Sequence, residues 1–441
     1  MGKKAVFVLA VLLLCAAITA SAQTVQGVVT GTVYDATGAA IPKASLKLTN
    51  NGTGVTQDET SGNDGGFRFP LVPPGTYTLI VKADGFNEKQ VKDIVVEASK
   101  FVPVNVTLSV ATATTSVEVV SQETLVQTAT SDLAVTIDKN TLVSIALITR
   151  NVFDLAFAAP AVTTGMNMNP ASGGAREAGT AYLLNGADNN DNFSEGAINV
   201  TPPLESVAEF TLLTNNMSAQ YGRGGGAVVS AAQVSGTNGF HGVLYEFNRN
   251  RSLNSSDFFQ NRQGSPKPHY VRNQFGGAIN GPIIRNKTFF SFAYDQVTLH
   301  TGSETDTHVP TPTEYAKMKA LSGPLGQKVL AAYPLQTSNT LCPNEAQEAP
   351  DAIGHIGCIH VADPISRPQN NWYGRIDQNF SSSDRLSFTG NFNWRNVGQE
   401  LYGGGSPANV TPIPSSEPLH NWNLALGETH VFGPRVMNEF T

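Results

Sequence analysis

Asn215 to Asn250 reads NNMSAQYGRGGGAVVSAAQVSGTNGFHGVLYEFNRN, and this stretch decides the fold. A glycine-dense segment, Gly222 to Gly226, precedes a nearly uncharged run from Ala227 to Val234 that is rich in β-prone residues. After a second turn, the side chains from His241 to Asn248 alternate between the two faces of a strand. The stretch therefore predicts a turn-rich passage from one β-region into another, whose sheet has one apolar face.

The composition of the 441 residues favours a mostly β protein with more than one domain. Only 14% of the residues are charged, whereas 41 are glycine and 25 are proline, so turns are frequent. The length exceeds that of one ordinary domain. A net charge of -7 gives no reason to expect nucleic-acid binding.

Residues 1–22 have the pattern of a secretory signal peptide. Lys3 and Lys4 form a basic start, Ala5 to Ala17 is apolar, and Ala20 to Ala22 is an A-x-A cleavage site. We therefore expect the mature chain to be exported.

Residues 23–110 contain short alternating runs, separated by turns as often as in a β-sandwich. The stretches GTVYDATGAAIPKASLKL, from Gly31, and GGFRFPLVPPGTYTLIVKADGF, from Gly65, resemble the carboxypeptidase regulatory-like family. The resemblance implies a transthyretin-like β-sandwich that acts as an accessory module without peptidase activity.

Residues 131–236 are predicted to form a mixed α/β domain. Its best helical region runs from Thr141 to Phe157, with a break at Arg150 and Asn151. Asp188 to Asn192 is similar to a calcium loop, but the sixth position lacks the glycine that an EF-hand requires. Polar Asx turns are the favoured interpretation of that segment.

Residues 237–441 alternate between apolar and polar side chains over segments long enough to cross a bilayer as tilted strands. The clearest segment runs from Leu386 to Arg395. Short and long connectors alternate, as the two rims of a transmembrane barrel require. The short connectors are Ile284–Lys287, Ser381–Asp384 and Gly433–Arg435, and the long ones are Arg251–Val271, Thr301–Asn370 and Val397–Leu419. We expect the aromatic faces after Gly239 to contact lipid and the polar faces to line a lumen that the preceding domain fills.

The long connector from Thr301 to Asn370 carries a helix signal and two cysteines. Thr311 to Glu314 is a capping box with proline at the first helical position, which predicts a helix through Leu321. Cys342 and Cys358 are expected to form a disulfide in an oxidising compartment, worth about 3 kcal/mol. The alternative is a zinc site completed by two histidines, His355 and His360.

The chain from Ser206 to Gly242 resembles the end of a TonB-dependent receptor plug as it enters its barrel. The stretch from Arg272 to Asp295, RNQFGGAINGPIIRNKTFFSFAYD, resembles the first barrel hairpin of the Oar-like branch, which also carries an N-terminal regulatory-like domain. The resemblance implies a plug that blocks the lumen and a TonB-type inner-membrane complex that pulls on a TonB box. It also implies an outer-membrane location with the sandwich in the periplasm.

The resemblance also assigns candidate site residues. Residues 111–130 are predicted to be an extended linker, within which a possible TonB box is the nearest match; its other interpretation is an ordinary linker or a first strand of the next domain. The possible TonB box is Thr115, Ser116, Val117, Glu118, Val119 and Val120. The plug–barrel junction is Tyr221, Gly222, Arg223, Gly224, Gly225 and Gly226.

The residues contain six barrel strands and the start of a seventh, whereas the family closes barrels of roughly 22 strands. The sequence therefore predicts an incomplete antiparallel barrel from a fragment.

The predicted function is transport of an unidentified small or oligomeric ligand across the outer membrane by energised plug gating. No enzyme is expected, because there is no G-x-S-x-G nucleophile motif and no H-E-x-x-H zinc motif. No cofactor and no metal are expected either. The alternative is a surface adhesion or carbohydrate-binding protein that the β-region anchors.

Overall fold

Three β-regions follow one another along the chain. The computed structural model describes residues 26–98, 100–111, 117–120, 133–160, 162–164, 170–191, 197–217, 221, 225–256, 258–263, 267, 269–331, 356–398, 416–433 and 436–441. Within these ranges, no helix has the length and apolar content needed to cross a membrane.

The first region is a sandwich of two sheets, in the orders β4-β1-β7, with β8 also paired to β1, and β3-β2-β5-β6-β9. Its strands are β1 (Gly27–Asp35), β2 (Ser45–Asn50), β3 (Thr56–Thr60), β4 (Gly66–Val72), β5 (Gly75–Lys82), β6 (Lys89–Val96), β7 (Phe101–Pro103), β8 (Val106–Leu108) and β9 (Val117–Val120). Alternate residues of β5, Tyr77, Leu79 and Val81, are buried between the sheets. The Tyr77 hydroxyl donates to the Pro73 carbonyl at 2.8 Å, and burial raises the pKa of Tyr77 to about 12.

The second region is the segment predicted to be a plug, and we call it the plug. Its five-stranded sheet has the order β10-β15-β16-β13-β14, with β13 and β16 parallel. Its strands are β10 (Leu133–Asp138), β11 (Val162–Thr164), β12 (Pro170–Ser172), β13 (Thr180–Leu184), β14 (Ala187–Asp188), β15 (Val207–Asn215) and β16 (Ala227–Gln233). Helix α1 (Lys139–Ser144) lies among them, with 3₁₀ helices Val152–Ala158, Glu177–Gly179 and Leu204–Ser206.

The helical region predicted from Thr141 to Phe157 is two short helices. Asp138 caps α1 by accepting hydrogen bonds from the backbone of Asn140 and Thr141. The break falls at Arg150, which has a positive φ of 55°, and Asn151 caps the following 3₁₀ helix. The predicted break is confirmed.

The third region is a seven-stranded antiparallel sheet in sequential order, which we call the wall sheet. Its strands are β17 (His241–Asn250), β18 (Tyr270–Ile284), β19 (Thr288–Pro310), β20 (Ile356–Asn379), β21 (Asp384–Gly398), β22 (Ser416–Gly433) and β23 (Val436–Phe440), and its helices are α2 (Phe258–Gln263), α3 (Pro312–Leu321) and α4 (Pro324–Ala331). The three short connectors join these strands as predicted. The Thr311 side chain accepts a hydrogen bond from the Glu314 backbone at the start of α3, which confirms the capping signal.

The predicted connector from Thr301 to Asn370 is wrong at both ends. Strands β19 and β20 keep pairing from Thr301 opposite Ile365 to Pro310 opposite Ile356. This ribbon extends beyond β18, whose pairing with β19 ends at Tyr270 opposite Thr301. A two-stranded ribbon without a third neighbour needs no apolar face, so its polar sequence resembled a loop.

Strand β21 shows the two faces of the wall sheet most clearly. Phe388, Phe392 and Trp394 are exposed, whereas Asn391 and Asn393 on the other face are buried against the rest of the chain. The expected separation of an apolar outer face and a polar inner face is therefore confirmed for this strand.

Strand β17 contradicts the expectation that every aromatic face points outward. Leu244 is 89% exposed, while Tyr245 points inward and donates its hydroxyl to Asp295 at 2.7 Å. The plug supplies the reason, because the Arg150 guanidinium lies 4.1 Å from the ring centroid of Phe247 and 5.1 Å from that of Tyr245.

The sandwich core generates a stability prediction. Replacing the fully buried Leu79 by alanine removes packed methyl groups and leaves a cavity, so the free energy of unfolding of residues 26–111 should fall by about 2–5 kcal/mol. Urea denaturation measures the change. The matched control is Val95→Ala on exposed β6, which should stay within about 0.5 kcal/mol; equal losses for both variants would show that Leu79 is not part of the core.

Candidate functional site

The plug meets the polar face of the wall sheet at Gln233, the last residue of β16. The Gln233 amide donates to Asn391 Oδ1 at 2.8 Å and accepts from Asn391 Nδ2 at 3.1 Å. Asn185 adds a second reciprocal pair, with its Oδ1 accepting from the Gln233 backbone and its Nδ2 donating to Gln233 Oε1, both at 2.7 Å. Gln233 and Asn391 are both buried. Because a buried amide without partners costs about 1–3 kcal/mol, these bonds fix the position of the plug against the wall.

Strand β20 holds the next two residues, Val234 and Ser235. Tyr373, Arg375 and Asp377 are spaced two apart, so they share one face of the strand. The Tyr373 hydroxyl donates to the Val234 carbonyl at 2.5 Å, and the Ser235 hydroxyl donates to Asp377 Oδ2 at 2.6 Å.

The charges on that face are paired with each other. Arg375 Nε lies 2.7 Å from Asp377 Oδ2, and Arg375 Nη1 also donates to the Gln233 carbonyl at 3.3 Å. The wall therefore presents a neutralised pair to the exit of the plug, and its contacts to the plug are hydrogen bonds.

A second contact joins the loop before the 3₁₀ helix Val152–Ala158 to strand β18. Arg272 donates to the carbonyl oxygens of Ile148 and Thr149 at 3.3 and 2.7 Å. Next to it, Arg150 pairs with Glu205 of the plug at 2.7 Å, and only about a tenth of either side chain is exposed.

A small cleft lies where the sandwich, the plug and the wall sheet meet. Its volume is about 140 Å³, and its lining includes Pro73 of the sandwich, Gln233 of the plug, and Arg375 and Arg385 of the wall sheet. Drug-sized ligands occupy roughly 300–1,000 Å³, whereas one water takes about 30 Å³. The cleft thus admits a few waters and is too small to serve as a passage for a ligand.

The predicted junction glycines lie just before the wall contacts. Tyr221 is buried with Val228 in a small cluster of the plug. A Cβ on Gly226 would lie 2.7 Å from Ala175 Cβ and 3.0 Å from the Ser172 carbonyl oxygen, so this position requires glycine. Gly222, Arg223 and Gly224 lie outside the described residues.

The remaining predicted site residues are described only in part. Val117 to Val120 form β9, which pairs in parallel with Lys89 to Lys92 of β6, whereas Thr115 and Ser116 fall outside the described ranges. Cys342 also falls outside them. Cys358 is described only by its backbone, opposite His308.

Sequence reasoning missed the residues that contact the wall. Gln233 is the one long polar side chain in the run from Ala227 to Val234, and this isolated polarity was the available signal. The pair of Arg375 and Asp377, two apart on a strand with an aromatic opposite face, was a similar signal.

Glu209 of β15 connects the plug to the sandwich. Both of its carboxylate oxygens accept from the Ala98 backbone N–H, at 3.1 and 3.0 Å. Burial, with the nearby Glu97 carboxylate as a smaller cause, raises the pKa of Glu209 from 4.5 to about 7.

Two family models match the chain. The carboxypeptidase regulatory-like domain matches residues 28–109, and the outer membrane beta barrel domain matches residues 233–441. The TonB-dependent transporter Oar of Myxococcus xanthus is 26% identical over 275 residues, which cover 59% of this chain and 26% of that protein. The chain thus spans about a quarter of the length of this relative.

Solved outer-membrane structures are also similar. The transporter YddB from Escherichia coli has a TM-score of 0.44 at 12% identity and covers 68% of this chain and 37% of that chain. A mutant of the ferric enterobactin receptor of Pseudomonas aeruginosa has a TM-score of 0.41 at 12% identity, covering 68% and 38%. Together with the family models and the curated relative, these findings confirm the resemblance to TonB-dependent receptors and the mainly β fold. They agree with the prediction that the chain is not an enzyme, since the curated relative is a transporter.

The wall contact at β20 generates a prediction about local opening. Arg375→Met leaves the buried Asp377 carboxylate without its countercharge, a change that costs about 3–5 kcal/mol at buried sites. Hydrogen exchange at the Val234 amide, which donates to the Ser206 carbonyl at 2.8 Å, should therefore become faster. Arg395→Met, at an exposed position of β21, is the control and should leave this rate unchanged. An unchanged rate in Arg375→Met would show that the pair does not hold the plug exit.

The raised pKa of Glu209 generates a prediction about pH. Between pH 4.5 and about 7 the folded plug retains a proton that the unfolded chain has released, so stability should fall as pH rises through this window. Hydrogen-exchange protection of β15 should be higher at pH 5 than at pH 7.5, by roughly 1–3 kcal/mol. Glu209→Gln should remove the difference, whereas Glu88→Gln at an exposed site of the sandwich should keep it. A difference that persists in Glu209→Gln would assign it to another group.

Proposed function

We propose that this chain, in which a regulatory-like sandwich precedes a plug and an outer membrane β-barrel domain, is part of a TonB-dependent outer-membrane transporter. The observation that carries the proposal is the position of the plug. It lies on the polar inner face of a sheet whose matched family is an outer-membrane barrel, and the buried amide pair of Gln233 and Asn391 holds it there.

Transport in this arrangement requires the plug to move. The cleft of about 140 Å³ leaves no passage for a ligand, and Val234 and Ser235 are hydrogen-bonded to Tyr373 and Asp377 of the wall. The energy comes from a TonB-type inner-membrane complex that pulls on Thr115 to Val120, in the linker between the sandwich and the plug.

The two rims of the wall sheet support an orientation. The sandwich lies at the rim of short connectors, where the Asn238 backbone donates to the Gly52 carbonyl at 2.8 Å. Short connectors face the periplasm in outer-membrane barrels, so the sandwich is periplasmic and the outer aromatic face contacts lipid.

The opposite rim is the proposed ligand entrance. There the ribbon of β19 and β20 continues from Gly302 opposite Pro364 to Pro310 opposite Ile356, which extends it by roughly 30 Å at the rise of a β-strand. Helices α3 and α4 follow at its tip. The ligand is an unidentified small or oligomeric molecule that binds these extracellular segments and the plug surface below them.

Energy-dependent movement of the plug tests the proposal. Ala208 of β15 lines the cleft, so a cysteine placed there should react with a maleimide about fivefold faster in energised cells than in cells treated with a protonophore. Deleting Thr115 to Val120 should abolish this difference, because the pull is lost, and should leave ligand binding intact.

The matched control removes six residues of the same linker, Ser121 to Val126, and should keep the difference. Labelling that does not respond to energy in the undeleted chain would contradict the proposed function. Glycan binding by the isolated sandwich would then favour the adhesion alternative.

A further inference from the structure

The sandwich is fastened to the wall sheet at the rim of short connectors. Asn238, which precedes β17, donates its backbone N–H to the Gly52 carbonyl at 2.8 Å and its side-chain amide to the Thr53 carbonyl at 2.7 Å. The same amide donates to Asn286 Oδ1 at 2.7 Å and accepts from the Asn286 backbone at 2.9 Å. Asn238 therefore bridges the β2–β3 hairpin of the sandwich to the β18–β19 turn of the wall.

Further contacts lie across the same rim. Arg385 of β21 donates to the Leu71 carbonyl at 3.3 Å. Gln26 donates to Thr429 of β22 at 3.1 Å and to Glu439 of β23 at 3.2 Å. The sandwich thus contacts the wall from the β18–β19 turn to β23 and covers the end of the lumen below the plug.

These contacts are suited to being broken and remade. They are hydrogen bonds, and the apolar core of the sandwich is separate from the apolar clusters of the plug in the described residues. Polar interfaces between domains permit relative motion, because little apolar surface is exposed when they open.

The linker connects the sandwich to the proposed pull. Strand β9, which holds Val117 to Val120 of the possible TonB box, pairs with Lys89 to Lys92 of β6. The plug begins farther along the chain, at Leu133 of β10. A force applied to β9 therefore acts on the sandwich through the backbone hydrogen bonds of a sheet.

We propose that the sandwich is a second closure of the lumen, beneath the plug, and that the pull which releases the plug also draws the sandwich away from the rim. The proposal rests on the proposed function, since the same energising complex drives both movements. The plug blocks the ligand from above, and the sandwich blocks its exit into the periplasm.

A disulfide reporter tests the second closure. A Cβ on Gly52 lies 3.6 Å from the Cβ of Thr237, within the 3.5–4.5 Å range of disulfides. Gly52→Cys and Thr237→Cys are therefore combined in a chain in which Cys342 and Cys358 are replaced by serine. Copper-catalysed oxidation in cells measures how often the two thiols meet. The control pair, Ala175→Cys with Gly179→Cys, joins two residues of the plug whose Cβ atoms would lie 3.4 Å apart.

If the sandwich leaves the rim, cross-linking of the reporter pair should be at least about fivefold slower in energised cells than in cells treated with a protonophore. Deletion of Thr115 to Val120 should remove this difference, and the control pair should cross-link at one rate throughout. The maleimide labelling of a cysteine at Ala208 is followed in parallel, as the readout of the plug.

The parallel readout separates the two ideas. Energy-dependent labelling at Ala208 together with constant cross-linking of the reporter pair would overturn the second closure and leave the transporter standing. Constant labelling together with constant cross-linking would overturn the proposed function, and the second closure with it.

Discussion

The structure depends on one constraint, which is that the inner face of the wall sheet is polar and must be hydrogen-bonded. Asn391, Asn393 and Asp377 are buried on that face, where an amide or carboxylate without a partner is costly. The plug supplies part of what they need through Gln233 and Ser235. The outer face of the same strands is apolar and exposed, which suits lipid and would suit water poorly. The two-faced strand thus requires a polar filling on one side and a membrane on the other.

The sequence predicted most of this organisation because alternation is a local property. The faces of β21 and the short connectors could be derived from period-two patterning, and the helix at α3 from its capping box. The ribbon from Thr301 to Pro310 could not be derived in this way, because pairing without burial leaves no periodic signal.

The inward face of β17 was not predictable either. Its aromatic residues contact Arg150, which lies about a hundred residues earlier in the chain. The contact of Gln233 with Asn391 likewise joins positions separated by 158 residues. Propensity and spacing report on neighbours along the chain, whereas these contacts are set by the docking of one domain on another. The residues that hold the plug are therefore the part of the site that sequence patterns describe least.

The distribution of charge shows why such a plug can be held firmly and still be released. Each buried ion pair of the described residues lies within one part of the molecule: Arg150 with Glu205 in the plug, and Arg375 with Asp377 in the wall sheet. Separating a buried pair costs about 3–5 kcal/mol, but displacement of the plug would separate neither of them. The contacts that it would break are hydrogen bonds such as that of Ser235 with Asp377, and water can replace each at a net cost of about 0.5–1.5 kcal/mol. An apolar interface would lose about 25 cal/mol for every Å² exposed. A joint made of hydrogen bonds, with the charges neutralised separately on each side, is therefore the one that a modest mechanical pull can open and that can close again without stranding a charge.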